Sequence, residues 1–248
     1  MTAHQPKTAL VTGANRGIGR EIARQLAGHG IHVLLSGRDR DAVTGAARAL
    51  RGEGLDVEPL VLDVTSSESI SAAAAEVELR HGSLDILVNN AGVRVEQYGK
   101  KPSEQSLREW RETFDTNLFG VVEVTIAFLP LIRRSPAGRI VNVASMLASL
   151  TRHSDVGSYT YSDTFKALPA YSASKSGVNS WTVHLAYELR DTPIKVNSVH
   201  PGYTKTDMND GAGDLDVQTG ARTGVGMALL DDDGPTGSYV HMGEVVPW

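Results

Sequence analysis

Short β-branched runs alternate with longer amphipathic stretches along this chain, and no other feature restricts its fold as much. Residues 8–12, 31–36, 57–62, 84–88, 139–144, 195–199 and 238–240 read as strands. Residues 17–29, 39–51, 68–80, 103–115, 117–133 and 170–190 read as helices, and in the first of these Ile18, Ile22 and Leu26 recur on one face. Strands that alternate with helices are joined by crossovers and therefore run parallel. The strand runs are apolar at successive positions, which fits a sheet covered by helices on both faces. No repeat, charge block or linker interrupts the rhythm, so residues 1–248 read as one α/β domain of the doubly wound kind. Residues 147–168 break the pattern. That segment is long, polar and aromatic, with Tyr159, Tyr161 and Phe165, and segments of such length in compact domains commonly carry function.

Composition narrows the partners. The hydrophobic share of 41% suits a packed core, and the net charge is −5. An acidic chain lacks the basic face that nucleic acid or an anionic membrane requires, so neither is an expected partner. The absence of cysteine excludes disulfides and thiolate metal sites. Residues 1–7 are polar with no signal-peptide core, and the apolar runs read as too short to cross a bilayer. The expected location is cytoplasmic.

Thr12-Gly13-Ala14-Asn15-Arg16-Gly17-Ile18-Gly19 lies between the first strand and the first helix. Glycines allow the sharp turn and let a pyrophosphate approach the helix N-terminus, where free N–H groups and the helix dipole favour an anion. A glycine-rich turn by itself carries little, but this one stands in the first strand–turn–helix unit. In dinucleotide-binding folds an acidic residue about 20 positions further on binds the adenosine ribose 2′-OH, whereas arginine accommodates a 2′-phosphate. Here the second strand ends Ser36-Gly37-Arg38, and Arg16 lies in the turn itself. Two guanidiniums suit a phosphate dianion, so NADPH is the expected cofactor. Asp39 follows one residue later and leaves NADH open.

Tyr171 and Lys175 stand four apart at the start of the helix that follows the fifth strand, on one helical face. A tyrosine ordinarily has a pKa of about 10 and is a feeble acid–base at neutral pH. A nearby ammonium lowers that value. A carbonyl under reduction becomes an alkoxide and needs a hydrogen-bond donor and a proton, which a tuned tyrosine supplies. Tyr159 and Tyr161 are followed at four residues by Asp163 and Phe165, so Tyr171 alone of the three has this partner. Ser145 follows the fifth strand, at a carboxyl end where ligands of open parallel sheets gather, and reads as a hydrogen-bond donor to the substrate oxygen.

The sequence resembles the short-chain dehydrogenase/reductase family over essentially its whole length. Residues 12–19, Asp63 with Val64, 89–92, 117–120, Ser145, 171–175 and 201–206 stand in family order. The resemblance implies a Rossmann-type parallel sheet of about seven strands and reversible NADPH-dependent reduction of a small-molecule ketone or aldehyde to its alcohol, with transfer of the pro-S hydride. It implies Asn117, Ser145, Tyr171 and Lys175 as the catalytic set, with Asn117 keeping a water near Lys175 in a proton relay. The implied cofactor contacts are Gly13, Asn15, Arg16, Gly17, Ile18, Gly19 and Arg38, then Asp63 and Val64 at the adenine, and Asn90, Ala91 and Gly92. Tyr171, Lys175, Pro201, Gly202, Thr204 and Thr206 complete them on the nicotinamide side. Within the family, residues 201–208, the ending 235–239 with Trp248, and the long interval from Ser145 to Tyr171 resemble the carbonyl reductases. Monomeric members of that group carry a still longer insertion, so both a monomer and a homo-oligomer stay open.

The pocket walls are expected from residues 93–101, the insertion at 147–168 and a segment at 203–216. The last two are expected to close over a bulky or aromatic carbonyl substrate as lids. Other readings are an NAD-dependent secondary alcohol dehydrogenase, a silent NADPH-binding regulator, and a dehydratase or epimerase. The eight histidines show no pair at helical ligand spacing with a carboxylate partner, and there is no Gly-x-Ser-x-Gly elbow, so no metal centre or hydrolase site is expected.

Overall fold

The structure is a computed structural model and describes residues 6–248. The domain and the polar segment read from residue 1 therefore lie, for residues 1–5, outside the described residues. The strands are β1 (Thr8–Val11), β2 (His32–Gly37), β3 (Val57–Val61), β4 (Ile86–Asn89), β5 (Arg139–Val143), β6 (Lys195–Val199), β7 (Tyr239–His241) and β8 (Glu244–Val245). They form one sheet in the order β3-β2-β1-β4-β5-β6-β7-β8. All pairs are parallel except β7 with β8. The seven parallel strands β1–β7 match the expectation of about seven, and β8 adds a short antiparallel strand at the edge. Met242 and Gly243 both have positive φ, 49° and 86°, and make a two-residue hairpin turn that folds the chain end back on β7.

Side chains alternate across each strand, and both faces are packed. Ala9 and Val11 of β1 face α1 (Gly17–Gly28), α2 (Arg40–Gly52) and α9 (Val217–Ala228) in one core. Leu10 faces the opposite core, built with α3 (Ser67–His81), α5 (Gly120–Ile132) and α8 (Pro169–Glu188). The order reverses between β1 and β4, which opens a crevice at their carboxyl ends.

Three differences from the sequence reading have physical causes. First, α4 (Leu107–Phe114) and α5 are continuous through a wide turn over Asp115–Phe119, in which Gly120 N–H reaches back to Asp115 C=O. The resulting Leu107–Ile132 helix has 26 residues and a mean hydropathy of 1.5 in its most apolar window, long and apolar enough to cross a membrane by length and composition. This corrects the expectation that every apolar run is too short. Val124 and Phe128 are fully buried against the sheet, as in a core helix. Second, residues 147–168 are not one open loop but contain α6 (Leu150–Ser154) and α7 (Asp163–Lys166). Third, α9 escaped the sequence reading because Gly220, Gly224 and Gly226 disguise its periodicity. Two of these glycines permit close packing. A Cβ at Gly220 would stand 2.4 Å from Thr204 Oγ1, and one at Gly224 would stand 3.0 Å from Ile22 Cδ1 of α1.

Candidate active site

The glycine turn is held from two sides. Thr12 Oγ accepts the N–H groups of Asn90 and Ala91, both at 3.0 Å, and Asn90 Nδ2 donates to the carbonyls of Thr12 (2.9 Å) and Gly13 (3.2 Å). Gly13 (φ 62°) lies so close to Ala91 that an added Cβ would be 2.8 Å from its Cα, and Gly17 has φ 57°. Both conformations favour glycine. Asn90, read as a ribose contact, thus also braces the turn.

The start of α1 differs from those of α2, α3, α4 and α9. Asp39, Ser66, Ser106 and Asp216 cap α2, α3, α4 and α9 through their side chains, while Arg16 makes no such bond on α1 and no acidic residue occupies its first turn. The first N–H groups of α1 are left for an anion. They open on a cleft of about 270 Å3 lined by Gly13, Asn15, Arg16, Gly17, Ile18, Gly19, Arg38, Asp63, Val64, Asn90, Ala91, Gly92 and Thr206. These thirteen were read as cofactor contacts, while Gly37, Leu62, Thr65, Val93, Thr116, Asp207 and Met208, which were not, complete the lining; the cleft chemistry fits a dinucleotide phosphate. Asp39 does not line it. Its Oδ1 accepts the N–H groups of Asp41 (2.9 Å) and Ala42 (3.0 Å), so that carboxylate is engaged in capping α2. Arg38 is exposed at the rim, and Arg16 meets Asp207 at 2.9 Å. Asp63 Oδ1 accepts from Thr65 N–H (2.9 Å) and Oγ (2.7 Å), which fixes the turn after β3.

A second cavity, of about 110 Å3, adjoins the cleft, and Ile18, Thr206 and Met208 line both. Ser145, Tyr171, Pro201, Gly202 and Thr204 line this second cavity. Its outer wall is Arg94 and Tyr98, then Leu147, Tyr159, Phe165 and Leu168, then Tyr203 and Asn209, drawn from the three segments expected to form it. Ring edges join two of them: Tyr159 packs edge-on against Phe165 at 5.8 Å, and Phe165 against Tyr203 at 5.7 Å.

Asn117 and Lys175 lie behind this wall. Asn117 is in the wide turn, a conformation that recurs at functional sites. It is fully buried, with Oδ1 accepting Val93 N–H at 2.8 Å and Nδ2 donating to Val93 C=O (2.9 Å) and Ser174 Oγ (3.1 Å). Its amide therefore anchors the chain after β4. Lys175 Nζ donates to Val143 C=O at 2.8 Å, and a Cβ on Gly92 would stand 3.4 Å from both that Nζ and Asn117 Oδ1. Burial pulls the Lys175 pKa down to about 8. The Tyr171 phenol behaves otherwise than the sequence reading held. Burial pushes its pKa up, while a hydrogen bond with Ser145 and the charge of Arg94 oppose the rise. The Lys175 ammonium is held on Val143 C=O, so the local influences favouring the phenolate come from Ser145 and Arg94.

Residues 7–215 match the family described as short chain dehydrogenase. The chain belongs to the short-chain dehydrogenases. It is 37% identical to short-chain dehydrogenase anuI of Penicillium roqueforti over 227 residues, covering 90% of this chain and 88% of that one. Among solved structures, salutaridine reductase from Papaver somniferum superposes with a TM-score of 0.82 at 30% identity, covering 94% of this chain and 99% of that one. The NADPH-bound carbonyl reductase from chicken fatty liver gives a TM-score of 0.84 at 25% identity, with 98% and 94% covered. The protein is accordingly an oxidoreductase with the Rossmann-like fold of this family.

Tyr171 stands in the first turn of α8, and that helix rests on residues the sequence did not single out. Glu96 is 2% exposed, and its carboxylate accepts Ala170 N–H (2.6 Å) and Tyr171 N–H (2.7 Å) at the first turn of α8. Tyr239 OH donates to Ser145 C=O and stacks on Trp248, so the end of the chain buttresses the serine. His200 is buried, its pKa pulled to about 3, and Nδ1 accepts Met146 N–H at 3.1 Å, which leaves the proton on Nε2. These residues lie 75, 94 and 54 positions from the groups they hold, and no local pattern links them.

Proposed function

We propose that this short-chain dehydrogenase reduces a bulky or aromatic ketone or aldehyde to its alcohol with NADPH, reversibly. One observation carries the reading: Ser145 and Tyr171 together line a small, aromatic-walled cavity that shares Ile18, Thr206 and Met208 with the phosphate-binding cleft. NADPH, when bound, supplies the hydride. Arg16 and Arg38 at the cleft and the engagement of Asp39 as a helix cap support the 2′-phosphorylated cofactor over NADH.

The chain's own residues account for the proton. Ser145 Oγ and the Tyr171 hydroxyl receive the carbonyl oxygen, and two donors stabilise the charge that grows on it. Tyr171 gives its proton to that oxygen. Lys175, with its pKa near 8, carries a proton at neutral pH and can release one, which suits it to replenish the phenol. Asn117 fixes the chain segment carrying Gly92 and Val93 against Lys175. In the oxidative direction Tyr171 is the base, which favours higher pH.

A panel of carbonyl compounds, followed by the loss of NADPH absorbance, tests the reading. Stoichiometric consumption with bulky aryl ketones supports it. Turnover without consumption favours a dehydratase or epimerase, and binding without turnover a silent NADPH-binding protein. Tyr171→Phe should retain NADPH binding and lose about 100- to 10,000-fold in turnover. Near-normal turnover removes Tyr171 from the role.

A further inference from the structure

At the opposite end of the sheet, where the strands begin, three metal-ligating side chains converge. His32 opens β2, Glu58 is the second residue of β3, and His81 closes α3. One ligand-capable atom from each lies within 4.8 Å of the others. The two imidazoles face each other with centroids 5.2 Å apart at 35°. His32 Nε2 and His81 Nε2 are buried and have no hydrogen-bond partner among the described residues. A buried polar atom without a partner costs about 1–3 kcal/mol, so two together call for an explanation.

The groups behind these side chains are already arranged as in a metal site. His32 Nδ1 is 2.9 Å from Asp56 Oδ1, which fixes the ring and leaves Nε2 as the lone-pair donor. Arg80 contacts one oxygen of Glu58, while the other lies 3.6 Å from His32 Nε2. A carboxylate behind a histidine, and a second partner on a ligating carboxylate, are the outer contacts that orient metal ligands. The His32 and Glu58 side chains are 17% and 13% exposed, so the site is shielded yet reachable from solvent.

We propose that His32, Glu58 and His81 bind a divalent transition-metal ion, with Zn2+ the best match. Two imidazoles and one carboxylate suit zinc and its neighbours and do not suit calcium or magnesium. Ligand bonds of about 2.0–2.2 Å put tetrahedral donors about 3.4 Å apart, so atoms lying within 4.8 Å of one another need close by no more than about 1.4 Å on binding. His81, at the helix end before Gly82 (φ 75°), is the side chain placed to move. The fourth position is left to water. The ion would tie the edge strand β3 to β2 and to the end of α3. The sequence could not reveal this site, because its ligands lie 26 and 23 positions apart on three elements.

The test uses chelator-stripped full-length protein titrated with ZnCl2 by calorimetry, beside His81→Gln and Glu58→Gln. The expected result is one equivalent bound by the parent chain, with affinity weakened at least about 100-fold in each variant. His81→Gln should keep the parent circular dichroism and carbonyl turnover. Co2+ added to the parent chain provides a readout that needs no variant, since one equivalent should produce the visible bands of a low-coordinate nitrogen–oxygen site. Uptake without a one-equivalent step, a one-equivalent step untouched by both substitutions, or octahedral Co2+ bands alone would overturn the proposal.

Discussion

Replacing Glu96 by alanine removes both acceptors from the first turn of the helix that carries Tyr171. The bonds lost are those from Ala170 N–H at 2.6 Å and Tyr171 N–H at 2.7 Å, in a setting where Glu96 is 2% exposed. Charge-assisted hydrogen bonds contribute about 1.5–3 kcal/mol each, and a buried donor left unpaired costs about 1–3 kcal/mol. Water entering the gap offsets part of this, so Glu96→Ala should cost about 2–5 kcal/mol. For a domain of this size that is a fall of roughly 5–20 °C in Tm. Glutamine keeps one acceptor and avoids burying a charge, so Glu96→Gln should cost less, about 1 kcal/mol. Burial pushes the Glu96 pKa up and Glu109 adds to the rise, while the two N–H bonds and Arg94 oppose it. A folded pKa above the unfolded one means that the folded protein holds the proton to higher pH. That contribution to stability is full below the ordinary glutamate range and is lost as pH rises through the raised value. Glu96→Gln should abolish this pH dependence. Because Tyr171 N–H is one of the two donors, a shift of the turn also displaces the phenol, and kcat in Glu96→Ala should fall about 10- to 100-fold. The KM for NADPH should hold, since other elements build the cleft. Thermal melts and steady-state rates for the parent and both variants decide the matter. A parent-like Tm and kcat in Glu96→Ala would refute the reasoning.

Arg38→Ala should raise the KM for NADPH by about 10-fold or more, the worth of one charge-assisted contact, and leave that for NADH nearly unchanged. Equal effects on the two cofactors would remove Arg38 from the 2′-phosphate. With Lys175 near pKa 8, kcat/KM for reduction should decline as pH rises through about 8, and a flat profile to pH 10 would deny Lys175 a part in proton supply. The same group links stability to pH with the opposite sign to Glu96: its folded pKa lies below the unfolded value, so its contribution improves as pH rises from about 8 into the ordinary lysine range. Gly220→Ala would set a Cβ 2.4 Å from Thr204 Oγ1, and should cost about 1–3 kcal/mol by overpacking and lower turnover through displaced Thr204. Denaturant melts and rates that match the parent chain would contradict that packing.

The features legible in the sequence are those whose parts lie close along the chain. The glycine turn spans eight residues, and Tyr171 and Lys175 are separated by one helical turn, so spacing alone conveys their geometry. The strands of the doubly wound sheet were legible because burial on both faces favours apolar runs, as in Ala9-Leu10-Val11 of β1 and Ile86-Leu87-Val88 of β4. What stayed hidden depends on distant residues meeting. Glu96 became a cap of α8 only when the chain after β4 folded across that helix. The two-residue β8 is too short for any periodicity, and the glycines of α9 serve close packing at the expense of helix propensity. The source of the push on the Tyr171 phenol was hidden too, because burial raises its pKa with help from Tyr98 and Glu96, against Ser145 and Arg94, and none of these neighbours lies on its own helix.

The edge-to-face chain from Tyr159 through Phe165 to Tyr203 makes access to the substrate cavity a shared event. Neither flanking segment can swing outward alone without breaking a ring contact made with the other. Phe165–Tyr203 is the pair that crosses between the segments, and an aromatic pair of this geometry is worth about 0.5–1.5 kcal/mol beyond its buried area, so parting them costs about that much. A door with that latch stands ajar roughly 7–30% of the time, often enough to admit substrate while leaving the closed cavity the major state around the serine and tyrosine.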